Sequence, residues 1–138
     1  MDSDETMVSE VYAAFILTGS DLDPDQITAQ LGITPSRTWR TGDLVMERAS
    51  IRHKNNGWSV KSDIPMSEDL EEHVEMVLQR LKPAWKSLRK LSTRYTALID
   101  CVVYSHGGAR PAIFFNKDVI KRISELNAEI DVDLLIFE

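Results

Sequence analysis

Eight apolar residues recur at helical spacing between Leu70 and Leu91, and no other feature constrains the fold as much. Leu70, Val74, Val77, Leu78, Leu81, Trp85, Leu88 and Leu91 form one stripe, the pattern of a helix that packs one side against a core. The phase carries through Pro83, which lacks a backbone donor. The spacing therefore predicts one long helix kinked there, or two nearly collinear pieces. Ser67 is the expected N-cap, with Glu68 and Asp69 in the first turn. Lys86, Arg89 and Lys90 suit the negative end of the helix dipole.

The segments around this helix read as strands. Val8 to Thr18 is apolar and rich in aromatic and β-branched residues, and Gly19-Ser20 ends it. Asp23-Pro24-Asp25-Gln26 then starts a short helix. Asp23 caps it, Pro24 takes the first helical position and Gln26 stands where a capping-box side chain reaches back. Ile27 and Leu31 form its stripe and Gly32 stops it. Ser36–Thr41 and Trp58–Ser62 are predicted strands, the second entered through the turn Asn55-Asn56-Gly57. Leu44 to Arg52 suits either a strand or an ordered loop. Tyr95–Tyr104 and Pro111–Phe115 read as a strand and its return, joined through Ser105-His106-Gly107-Gly108. Asn116 caps a helix carrying Val119, Ile120, Ile123 and Leu126, and Ile130–Phe137 is the closing strand.

The expected class is α+β: a largely antiparallel sheet with helices mainly on one face. It is partly ferredoxin-like, βαββαβ with an added βαβ. At 138 residues this is one domain, expected over 11–138 behind a disordered acidic tail at 1–10. Cys101 is the one cysteine, so no disulfide closes within the chain, and a reducing, cytoplasmic setting is expected. No apolar run reaches the ~18–20 residues a membrane span needs.

Charge is unevenly placed. Residues 33–62 hold six Lys/Arg against Asp43 and Glu47, a local +4 in a chain of net −6. The overall sign disfavours general nucleic-acid binding, which depends on neutralising phosphates. Within the basic stretch, Arg37, Trp39, Arg40, Trp58 and Lys61 are the candidate binding residues. Guanidinium groups pair with carboxylate or phosphate and stack on indoles, so the partner expected is an acidic protein segment or a small anionic ligand. Alternation puts Arg37 and Trp39 on one side of their strand and Arg40 on the other. The competing explanation is internal Trp–Arg stacking that stabilises the sheet.

Glu129, Asp131 and Asp133 alternate onto one face of the last strand, and Asp100 stands on a candidate neighbour. Asp100, Asp131 and Asp133 are the candidate divalent-metal ligands of an alternative reading, a small metal-dependent hydrolase or transferase. The competing explanation is a solvated strand face, or pairing with Arg37 or Arg40, and it outweighs the metal reading because carboxylates spaced by two on a strand are common. The histidines, His53, His73 and His106, fall in no metal or protease pattern, Ser105-His106-Gly107-Gly108 has no nucleophile elbow beside it, and Cys101 reads as a core residue. The expectation is a binding module rather than an enzyme, with no cofactor. Homodimerisation through a sheet edge is a third route.

Several runs together resemble a known family. They are Asp23-Pro24-Asp25-Gln26-Ile27-Thr28, Leu31-Gly32-Ile33-Thr34-Pro35, Arg37-Thr38-Trp39-Arg40-Thr41-Gly42-Asp43, Gly57-Trp58-Ser59-Val60-Lys61-Ser62 and Ile130-Asp131-Val132-Asp133. The pattern resembles the bacterial domain of unknown function 4279 from about Val11 onward. The resemblance implies a single bacterial cytoplasmic domain and no defined chemistry.

Overall fold

The computed structural model describes residues 7–46 and 50–138. Its elements run β1 (Val8–Gly19), α1 (Pro24–Leu31), β2 (Arg37–Trp39), β3 (Asn56–Lys61), α2 (Leu70–Leu81), a 3-10 turn (Lys82–Ala84), α3 (Trp85–Arg94), β4 (Thr96–His106), α4 (Lys117–Glu125) and β5 (Glu129–Phe137). Val8–Glu10, expected in the tail, belong to β1, where they pair with His106, Ser105 and Tyr104. Residues 1–6 lie outside the described residues.

The sheet order is β2-β3-β1-β4-β5. Every pair is antiparallel except β4–β5, which is parallel. The elements from β1 to β4 follow the βαββαβ order expected from the sequence, and the class is α+β. One expected strand is absent: Pro111–Phe115 forms no strand. β4 already lies between β1 and β5, so a returning strand finds no free edge there, and Pro111 lacks a donor. The added unit therefore reuses β4, as β4–α4–β5.

Local chemistry explains the helices. Asp23 Oδ1 accepts from Asp25 N at 3.1 Å, Pro24 follows, and Gly32 takes φ 67° while its N–H bonds Thr28 O. The helix start rests on Asp23, and no reach-back bond from Gln26 accompanies it among the described residues. The second helix begins at Leu70 behind Asp69 rather than at Ser67, and Asp69 makes no side-chain cap bond. At Pro83 the missing N–H breaks the α ladder. A 3-10 turn tightens the chain and α3 resumes, with Leu70, Val74, Val77, Leu78, Leu81, Leu88 and Leu91 all buried.

The helices pack together over one face of the sheet. Strand alternation supplies the apolar floor beneath them: Val11, Ala13, Phe15 and Leu17 from β1, Trp58 and Val60 from β3, and Ala97, Ile99, Cys101 and Val103 from β4. The chain between β2 and β3 makes a short antiparallel excursion, with Val45 N bonding Ile51 O and a bridge between Leu44 and Arg52. Arg48 lies outside the described residues. No helix of the described chain is long and apolar enough to cross a membrane.

Candidate functional site

Among the described residues the other face of the sheet carries no helix, and register assigns its side chains row by row. Arg37 lies opposite Ser59, which shares its side of β3 with Lys61 and Gly57; Trp39 lies opposite Gly57. Lys61 pairs across β1 at Ala14, Ala14 pairs with Asp100, and Asp100 with Asp131. Tyr12 pairs with Val102, and Val102 with Asp133. Cations therefore stand on the β2–β3 half of the face and carboxylates on the β4–β5 half, with Ala14 and Ile16 between them.

On the basic half, the Arg37 guanidinium lies 5.4 Å from the Trp39 ring centroid and donates to Val45 O at 2.8 Å. His53 stacks on the same indole at 4.7 Å. Trp39 is thus covered and only 8 % exposed. His53 was not among the candidate residues. Only the closed excursion between β2 and β3 brings it over Trp39, and no local pattern in the sequence encodes that contact. Burial first, and then the nearby Arg37 charge, holds the His53 pKa below its usual 6.5, against a smaller pull from Asp43. Lys61 Nζ sits 4.1 Å from the Tyr12 ring centroid. Among the described residues neither Arg37 nor Lys61 reaches a carboxylate.

Two of the candidates stand elsewhere. Trp58 pairs with Thr38, so it points to the opposite face from Trp39; it is fully buried under α1 and donates Nε1–H to Thr28 Oγ1 at 3.0 Å. It offers no wall to a ligand on the open face. Arg40 is directed to α1, where its Nη2 meets Asp23 at 3.2 Å and Asp25 at 3.4 Å. Arg37, Trp39 and Lys61 remain together.

On the acidic half, Asp100, Asp131 and Asp133 bring one carboxylate oxygen each within 4.8 Å of one another. Parallel β4–β5 pairing creates this cluster by putting Asp100 beside Asp131 and Val102 beside Asp133. Burial, followed by the charges of Asp133 and Asp131, pushes the Asp100 pKa up to about 6. Its Oδ1 is buried with no donor among the described residues, a cost that protonation of Asp100 relieves. Glu129 lies two residues along β5, opposite Leu98.

Beyond this cluster, Tyr104 and Phe137 lie at 6.4 Å and His106 stacks on Phe137 at 4.9 Å. Cys101 points into the core, and burial pushes its thiol up to about 12, which keeps it protonated and unreactive. A cavity of about 630 Å³ opens in the helical layer, bordered by Leu78, Lys82, Trp85 and Arg122. Its central cation is already paired, Arg122 with Glu75 at 2.6 Å and with Asp118 at 3.0 Å.

A helix-backed sheet whose other face bears separated cations and carboxylates defines a small α+β domain. The chain belongs to the family described as a domain of unknown function, DUF4279, whose model matches residues 9–137. No curated protein and no solved structure matches it.

Proposed function

We propose that this domain is a non-enzymatic binding module, and that the helix-free face of its sheet engages an anionic partner through Arg37 and Lys61. The observation that carries this reading is their arrangement. Arg37 pairs with Ser59, so Lys61 is its diagonal neighbour, about 7–8 Å away between backbones, and successive acids of one extended segment can each meet one of the two cations. Each cation is steadied by a ring, Arg37 by Trp39 and Lys61 by Tyr12, which lowers the ordering cost of binding. Trp39 acts as a positioning residue beneath Arg37. An acidic protein segment suits the site best, because Arg37 and Lys61 stand on neighbouring strands of the helix-free face, with Asp100, Asp131 and Asp133 set off on its β4–β5 half. A single buried cysteine suits a reducing, cytoplasmic setting.

The test is fluorescence anisotropy of a labelled oligo-glutamate peptide at low salt. Arg37→Ala and Lys61→Ala should each weaken binding roughly tenfold while the proteins stay folded, and added salt should do the same. Wild-type affinity in both variants refutes the site.

A second reading is favoured by the Asp100–Asp131–Asp133 cluster, which has the oxygen chemistry of a Mg²⁺ or Ca²⁺ site and would support metal-dependent hydrolysis or group transfer. A thermal shift on adding Mg²⁺, Mn²⁺ or Ca²⁺, lost in Asp131→Asn, would support it. No shift with any of the three removes it.

A further inference from the structure

β5 is an edge strand, and it is unlike the other edge of the sheet. β2 is three residues long and its excursion folds back over Trp39, whereas β5 runs nine residues and is exposed along almost its whole length. It carries no lysine and no proline, and its three acids, Glu129, Asp131 and Asp133, all lie on the open side, which leaves the helix side of the edge apolar. Its apolar residues are open on both sides. Ile130, Leu134 and Ile136 lie on the helix side and Leu135 and Phe137 on the open side, each between 39 % and 66 % exposed. Ile120 of α4, 51 % exposed, joins them across a shallow cavity it shares with Ile130. A patch of this kind exceeds the isolated exposed residues of an ordinary monomer surface.

The backbone shows which groups await a partner. Phe137 turns its carbonyl toward β4, where it accepts from Gly107 N at 3.0 Å. Backbone groups alternate sides along a strand, so those of Val132, Leu134 and Ile136 face outward. We propose that β5 pairs antiparallel with β5 of a second copy of this chain, across a two-fold axis at Leu134, so that one sheet runs through both copies. Leu134 then exchanges hydrogen bonds with its own counterpart, and Val132 meets Ile136 on the helix side. On the open side Asp133 faces Leu135 and Asp131 faces Phe137.

Charge disfavours the registers shifted toward Asp131, and an axis at Leu135 would pair only residues 133–137 of β5, a shorter ladder than an axis at Leu134 allows. An axis at Val132 would put Asp131 opposite Asp133, and an axis at Asp133 would put that carboxylate against itself, both destabilising. A second copy fits for the same reason: two-fold symmetry makes this edge complementary to itself, in hydrogen bonds and in apolar residues.

Sedimentation velocity of the full chain across a micromolar concentration series tests the interface. Wild type should reach twice the chain mass. Ile136→Lys, at a position 66 % exposed in the single chain, should weaken association by roughly tenfold or more with its circular dichroism unchanged. Leu134→Cys should give a covalent dimer on mild oxidation, while Asp133→Cys, offset from its own counterpart, should not. A single-chain mass throughout, or a dimer that survives Ile136→Lys, overturns the interface. Cross-linking at position 133 but not at 134 overturns the register.

Discussion

The indole of Trp39 lies against Gly57, the residue opposite it on the β2–β3 ladder, so closely that a β-carbon on Gly57 would overlap Trp39 Cε2. Glycine is required there for space, with no unusual backbone angle involved. Trp39 can sink into the sheet only because Gly57 is bare, and Arg37 and His53 then close over it.

Gly57→Ala should therefore push Trp39 off the sheet and cost about 1–3 kcal/mol, an overpacking penalty. Urea unfolding measures it. In a double-mutant cycle with Trp39→Ala the two losses should be strongly non-additive, since removing the indole removes the clash. Additive losses would mean the glycine matters for another reason.

Trp58→Ala should behave differently from the open-face variants. Its side chain is fully buried and its Nε1–H serves Thr28, so truncation should cost about 3–5 kcal/mol. Arg37→Ala should leave the unfolding midpoint nearly unchanged while weakening peptide binding. A mild Trp58→Ala variant that lost only binding would return that tryptophan to the site.

These two tryptophans mark where the sequence was legible and where it was not. Helix ends were readable where a cap is local: Asp23, Gly32 and Asn116 act within a few residues of themselves, and Asn116 Oδ1 does accept from Val119 N, whereas α2 starts behind Asp69 with no side-chain cap and Ser67 misplaced it. The stripe from Leu70 to Leu91 was readable because periodicity survives the 3-10 turn. Which face Trp58 occupies depends instead on the register between β2 and β3, fixed by an excursion whose closure no local pattern encodes. Alternation separated Arg37 from Arg40 within one strand, but could not say that Trp39 and Trp58 lie back to back. The acidic cluster was half readable: Asp131 and Asp133 share a side by alternation, and Asp100 joins them only through parallel pairing of β4 with β5. Pro111–Phe115 had strand composition, yet strands need a free edge, and edges are a property of the whole sheet.

The acidic cluster gives a pH prediction. The Asp100 carboxyl titrates at about 6 in the folded protein and near 3.8 when unfolded, so between those values the native state holds a proton that the unfolded chain releases. Its contribution is full below about pH 4 and is lost as pH rises through 6. Asp100→Asn should consequently stabilise the protein above about pH 6.5, by about 1 kcal/mol after allowance for solvent screening, and make little difference near pH 4. A gap of equal size at both pH values would show that charge repulsion is not its cause.

His73 predicts the opposite slope. It is fully buried on α2, with Nδ1 2.7 Å from Ser62 Oγ and Nε2 3.0 Å from Pro65 O. A carbonyl can only accept, so Nε2 carries the proton and Nδ1 accepts from the Ser62 hydroxyl, whose oxygen in turn accepts from Ala13 N. The ring ties the start of α2 to β1 and to the end of β3 as a neutral group, and burial holds its pKa below the ordinary 6.5. Once pH drops below about 6.5 the unfolded chain protonates this imidazole more readily than the native one, so stability falls with pH. His73→Gln cannot protonate, yet it loses the ring's fit and its two aligned bonds. It should be less stable than wild type by about 2 kcal/mol near pH 8. That gap should narrow steadily between about pH 7 and pH 5, read as the difference in urea midpoints. A gap that stays constant across that range would mean the imidazole is not the group that titrates.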